Sequence, residues 1–184
     1  MYKLLFGGVI SLSLIACGDA GQPAGTDEAA VDTTSAPVEA PPAEFADAKY
    51  MDLSKQITAR FTSEDVDGWL SYYADNARYN WSGGDSLVGK EAIGKYWKDR
   101  FANVVDSLKF NNEIWLPVKV NKPQSIEAPG IWLLGWYQVD VKYKNGKKLA
   151  FWAHMDHHID VNGKIDQTIL YIDRAPINAA LTSK

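Results

Sequence analysis

Lys148 to Arg174 reads KLAFWAHMDHHIDVNGKIDQTILYIDR. Its apolar side chains recur with period two, and Asn162-Gly163 breaks the run in the middle. Alternation of that kind predicts two strands, Lys148 to Val161 and Lys164 to Arg174, joined by a hairpin turn. Outward from this hairpin the same period predicts Leu108 to Val120 and Ile131 to Tyr143 as strands. Asn145-Gly146 suits a second two-residue turn, so the last three strands form an antiparallel meander. Pro117 has no N–H to give a ladder, which places an edge or a bulge in the first long strand.

Upstream the period lengthens. Tyr50, Leu53, Ile57 and Phe61 fall at helical spacing over Ala46 to Arg60. Thr62-Ser63-Glu64-Asp65 reads as a capping box, and Val66, Trp69, Leu70 and Tyr73 line one face of a second helix behind it. Arg78 to Trp81 reads as a short strand closed by Ser82-Gly83-Gly84. Lys90 to Val104 reads as a third helix, with Ile93, Trp97 and Phe101 along one side. Helices first and antiparallel strands after is an α+β pattern, with the helices on one sheet face.

Residues 1–17 are an address rather than a fold. Lys3 precedes the apolar run Leu4 to Ile15, of signal-peptide length and too short to span a bilayer. Leu14-Ile15-Ala16-Cys17 resembles a bacterial lipobox, which implies cleavage before Cys17 and lipid on that residue. Cys17 is the only cysteine, so no intramolecular disulfide and no Cys-rich zinc module is available. Gly18, not Asp, follows it, so the expected site is the outer membrane, facing the periplasm. Residues 18–44 hold no aromatic, Lys or Arg, are rich in Ala and Pro, and predict a disordered acidic tether. The folded part is expected over 45–184.

The whole chain carries a net charge of −4. The leader's Lys3 and six acidic residues all lie before Phe45, so the rest holds 18 basic and 17 acidic residues. A near-neutral domain offers no basic face for nucleic acid. No glycine-rich phosphate loop or nucleophile elbow is present, which removes nucleotide and acyl-enzyme chemistry.

The order of three helices, one short strand and a curved sheet resembles the nuclear transport factor 2-like superfamily, with its SnoaL-like and ketosteroid isomerase-like members. Tyr73-Ala74-Asp75-Asn76-Ala77 is similar to that family's helix-two exit, and Gly89-Lys90-Glu91-Ala92-Ile93 to its helix-three start. Asn162-Gly163-Lys164-Ile165 and Tyr171-Ile172-Asp173 resemble its last hairpin and strand. The resemblance implies a cone-shaped sheet around a pocket closed by three N-terminal helices. It also implies that the isomerase's general base falls at Trp81 (or Asn80) and its buried acid at Met155. Neither residue type can carry those protons, so that reaction is not expected.

All three histidines lie in one strand, and alternation splits them. Phe151, Ala153, Met155, His157 and Ile159 share the more apolar face, which the resemblance makes the pocket side. The expected ligand-binding set is Trp81, Asn112, Leu116, Tyr137, Met155, His157 and Ile172, suited to a small, mostly apolar molecule. His157 is the one candidate general base, with Tyr137 or Asn112 to orient a substrate; otherwise it is a core histidine with one hydrogen bond. His154, Asp156 and His158 share the other face and suggest a metal site, although i and i+4 of a strand lie too far apart for one ion. Trp132, Trp136 and Trp152 with His154 on that face read as a homodimer surface. The primary expectation is a non-catalytic, membrane-anchored envelope lipoprotein without a cofactor that binds a small molecule or a protein partner. The alternatives are a cyclase, dehydratase or isomerase using His157, and a metal-binding lipoprotein.

Overall fold

The computed structural model describes residues 39–182. The leader, Cys17 and most of the tether lie outside the described residues. Eleven elements follow in order: β1 (Ala43–Phe45), α1 (Lys49–Thr62), α2 (Val66–Leu70), β2 (Tyr73–Trp81), β3 (Ser86–Val88), α3 (Lys90–Asn103), β4 (Val105–Val120), β5 (Gly130–Tyr143), β6 (Lys148–Ile159), β7 (Ile165–Tyr171) and α4 (Arg174–Thr182). The strands form one sheet in the order β1-β4-β5-β6-β7-β2-β3. Every pairing is antiparallel except β2 with β7. The fold is α+β, with a curved, mostly antiparallel sheet and helices on one face. No helix among the described residues is long and apolar enough to cross a membrane.

Several local expectations are corrected. Thr62 does not cap the second helix. It ends α1, where its hydroxyl donates to the Thr58 carbonyl at 2.9 Å. Asp65 is the cap, accepting from the Gly68 N–H at 2.9 Å, and its other oxygen pairs with Arg60. A Cβ on Gly68 would lie 2.1 Å from the Asp65 carboxylate, so only glycine leaves the cap its place. The second helix is one short turn, and Tyr73 opens a nine-residue strand instead of ending that helix. Its helical spacing is overridden by pairing with β7, which buries Tyr73 against Trp69. β1 takes in Ala43 and Glu44, assigned above to the tether, by pairing with Val120 and Lys119. β3 and α4 have no counterpart in the sequence reading.

The two Asn-Gly turns are also different from expectation. Tyr143 N donates to Lys147 O and Gly146 N to Tyr143 O. Asp160 and Lys164 close the second turn in the same way. Gly146 (φ 86) and Gly163 (φ 74) have positive φ, whereas neither asparagine does. Each is a three-residue loop ending in a left-handed glycine, not a two-residue turn needing two left-handed residues.

Pro117 lies where β4 faces the short β1, its carbonyl accepting from Ala46 N at 2.9 Å. The missing donor therefore falls near the sheet edge. The bulge of β4 sits earlier, between Asn111 and Ile114. It shifts the alternation by one residue and so exchanges the two faces along the strand. Leu108 and Phe110 point to the helices before it, and Trp115 does so after it. Gly135 on β5 lies under that indole; a Cβ there would be 2.4 Å from the Trp115 ring.

Candidate functional site

The inner face of the sheet with α1, α3 and α4 lines a cavity of about 100 Å³. Alternation along β5 and β6 supplies Tyr137, Val139, Ala153 and Met155. Leu108 and Phe110 come from β4 before its bulge, and Trp97, Arg100 and Phe101 from one face of α3. Ile172 and Ile177 close the side toward α4. The Tyr137 ring stacks on Phe110 at 4.1 Å, and its hydroxyl donates to the Met155 sulfur at 3.6 Å. Burial pushes the phenols of Tyr73, Tyr79 and Tyr137 well above their ordinary range, so all three are protonated donors.

Of the seven residues expected to line a pocket, Tyr137, Met155 and Ile172 border this cavity. Leu116 does not: the β4 bulge turns it to the outer face, where it is 39% exposed opposite Leu134. Asn112 is exposed within the bulge itself, with φ 51, and donates to Gln138 Oε1 at 3.1 Å. Trp81 stands apart from the lining, packed between Tyr79 at 4.8 Å and Tyr96 at 5.2 Å. Tyr79, two residues earlier, lines the cavity in its place.

His157 faces inward but borders a separate void of about 10 Å³, barely the room of one water. It is 1% exposed. Its Nδ1 lies 2.9 Å from the Thr168 hydroxyl, which lies 3.1 Å from the Tyr73 hydroxyl. Trp115 stacks along one side of the ring and Tyr73 meets it edge-on. Burial, with no carboxylate against it, pushes the imidazole pKa down to about 3. A ring so disposed to stay neutral is a weak base near neutrality.

The outer face holds the other two histidines. His154 lies between the rings of Trp136, at 4.3 Å, and Tyr171, at 5.3 Å. Its Nδ1 is 2.9 Å from the Gly135 carbonyl and its Nε2 3.0 Å from Asp156 Oδ1. Desolvation raises the Asp156 pKa, and His154 beside it works the other way. His158 places Nδ1 2.6 Å from Asp166 and Nε2 3.1 Å from the Pro129 carbonyl. The His158 ring thus spends both nitrogens on the protein, whereas the approach of His154 Nε2 leaves Asp156 Oδ1 buried without a hydrogen bond. No group of three potential metal ligands occurs among the described residues, so His154, Asp156 and His158 do not converge on one ion. Trp132, counted above with the dimer surface, is buried and donates its indole N–H to Ala128 O at 2.8 Å. Trp152 is 56% exposed, with Tyr171 exposed on the adjacent β7 and Ile114 and Leu116 exposed on β4, one strand further across.

Arg100 is the charged residue among the lining residues that sequence reasoning missed. The signal was present: it lies three residues after Trp97, a cation beside the apolar stripe of α3. Arg100 Nε, Trp97 Nε1 and the Tyr79 hydroxyl are all buried without a hydrogen-bond partner.

Residues 55–168 match the SnoaL-like domain family. The chain also shares its fold with three solved proteins at low identity. A putative polyketide cyclase from Xanthomonas campestris pv. campestris is 13% identical, covering 72% of this chain and 96% of its own, with a TM-score of 0.58. A nuclear transport factor 2-like protein of unknown function from Burkholderia pseudomallei is 15% identical over 74% of this chain and 100% of its own, at 0.57. An epoxide hydrolase from M. tuberculosis is 15% identical over 71% and 86%, at 0.51. No curated protein matches the sequence. The chain belongs to the SnoaL-like domain family, on the nuclear transport factor 2-like fold.

Proposed function

We propose that this SnoaL-like domain is a non-catalytic binding module for a small, mostly apolar ligand, carried by a membrane-anchored envelope lipoprotein. The observation that carries the reading is the separation of cavity and base. The cavity lining holds no Asp, Glu or His, and His157 borders only a smaller void on the far side of Phe61, Phe110 and Met155, with a depressed pKa. Proton transfer to or from a bound molecule needs a group within hydrogen-bond reach that exchanges its proton near neutrality, and burial holds the lining phenols of Tyr79 and Tyr137 far above that range. The mostly apolar lining suits retention of a ligand instead. Anchoring through Cys17 after cleavage at Ala16 supplies the membrane side, and exposed Ile114, Leu116, Trp152 and Tyr171 supply a surface for pairing two copies.

Native mass spectrometry of the full chain tests the binding reading, comparing wild type with His157→Gln. Both forms retaining the same co-purified small molecule is the expected result. Turnover of that molecule by wild type alone would return the assignment to an enzyme using His157. Intact mass of membrane-extracted protein tests the anchor: wild type carries lipid, and Cys17→Ser carries none. Sedimentation of a Trp152→Glu variant as a monomer, against a dimeric wild type, tests the pairing.

A further inference from the structure

Three side chains that line one cavity, Tyr79, Trp97 and Arg100, each carry a buried donor without an acceptor. Trp97 Nε1 and Arg100 Nε can only donate, and a buried phenol with its pKa driven up also presents its proton. Native structures pair such groups, because an unpaired one keeps its full desolvation cost. Trp97 and Arg100 lie three residues apart on α3, and the Tyr79 ring on β2 is 6.0 Å from the Trp97 ring. The three side chains therefore meet the cavity where α3 packs on β2.

Arg100 lacks an anion of its own. Around it Lys98 pairs with Asp67, Lys90 with Asp75 and Arg174 with Asp85. Among the described residues no carboxylate pairs with Arg100, and none lines the cavity. Beyond the donors the wall is nearly all hydrocarbon and aromatic ring.

Resting on the binding reading above, we infer that the ligand is a small monocarboxylic acid, held by its carboxylate at Arg100, Trp97 and Tyr79. A carboxylate accepts at both oxygens, and a guanidinium neutralises it. Its apolar tail lies against Met155, Val139 and Phe151. The cavity of about 100 Å³ is smaller than the roughly 150 Å³ that accommodates benzene, so the tail is only a few carbons long. A phosphate fits less well, since its further oxygens would meet only apolar wall.

The test is a tryptophan-fluorescence titration of the full chain with sodium propionate and with propan-1-ol, its neutral counterpart. Propionate binds more tightly by about tenfold or more, the effect of a charge-assisted contact. Arg100→Gln erases that preference and leaves alcohol binding unchanged. Tyr79→Phe weakens propionate several-fold and raises the melting temperature of the unliganded protein, because it removes an unpaired hydroxyl. Alcohol binding without any acid preference, in wild type and Arg100→Gln alike, overturns the carboxylate assignment and leaves the binding reading standing. Binding of neither compound removes both. Should Arg100→Gln also lose alcohol binding, Tyr79→Phe and Trp97→Phe, which keep the ring packing, decide the matter by the same comparison.

Discussion

One strand, β6, presents histidine to two opposite environments. His157 points under the helices, bonded only to a hydroxyl and stacked on Trp115. His154 and His158 point away from them, each beside a carboxylate and a backbone carbonyl. The side-chain type is the same, and what it does is decided by what packs over it. On the inner face desolvation acts alone and suppresses the imidazolium. On the outer face acceptors surround each ring, and the aromatic partners Trp136 and Tyr171 cover His154 without enclosing it.

The contrast is broken most forcefully at Trp115. Trp115→Ala removes the ring over Gly135 and His157 and the N–H that bonds Glu113 at 3.0 Å. Loss of about 3–5 kcal/mol in urea denaturation is expected, the cost of deleting a buried aromatic. Trp152→Ala, on the exposed outer face, changes the stability of the monomer by less than about 0.5 kcal/mol. Similar losses at both positions would mean that the outer face is as closely packed as the inner.

Titration sharpens the same contrast. His157 has a folded pKa of about 3 against an ordinary 6.5. Between those values the unfolded chain takes up a proton that the folded chain refuses. Its contribution therefore lowers stability as pH falls through that window, by up to about 1.4 kcal/mol per pH unit. Asp156 acts in the opposite sense. Its folded pKa is raised by desolvation, so neutral pH carries a penalty that protonation relieves as pH falls toward 3.8. Urea midpoints measured from pH 7 to pH 4 should show a shallower acid loss in His157→Gln than in wild type. Parallel curves for the two proteins would rule out a proton-free His157 in the fold.

A smaller change probes the close approach beneath Trp115. Gly135→Ala places a methyl group 2.4 Å from that ring and is expected to cost about 1–3 kcal/mol through forced repacking. Unchanged stability would show that Trp115 moves aside freely.

The main outline of the sheet was legible in its alternation. From Leu108 to Arg174 the period of two located all four long strands, because each has one face against the core. It also placed His157 inward and His154 outward, since nothing interrupts β6. It misplaced Leu116 and Asn112 because one extra residue in the β4 bulge exchanges the faces, and a bulge leaves little trace in composition. Tyr73 was read as helical from its spacing with Val66, Trp69 and Leu70. Pairing with Ile165, distant in sequence, overrode that local pattern.

The sequence alone thus determined the α+β class, the antiparallel meander and the two faces of β6, because these follow from periodicity along a continuous segment. It determined as well that any proton chemistry on β6 must fall to histidine or aspartate. The tertiary structure decided what closes over each group. It set His157 in a void apart from the main cavity, and it brought Tyr79 from β2 beside Trp97 and Arg100 from α3. That juxtaposition depends on strand register and on the seating of helix on sheet. Both are set by contacts between distant segments, which no local period encodes.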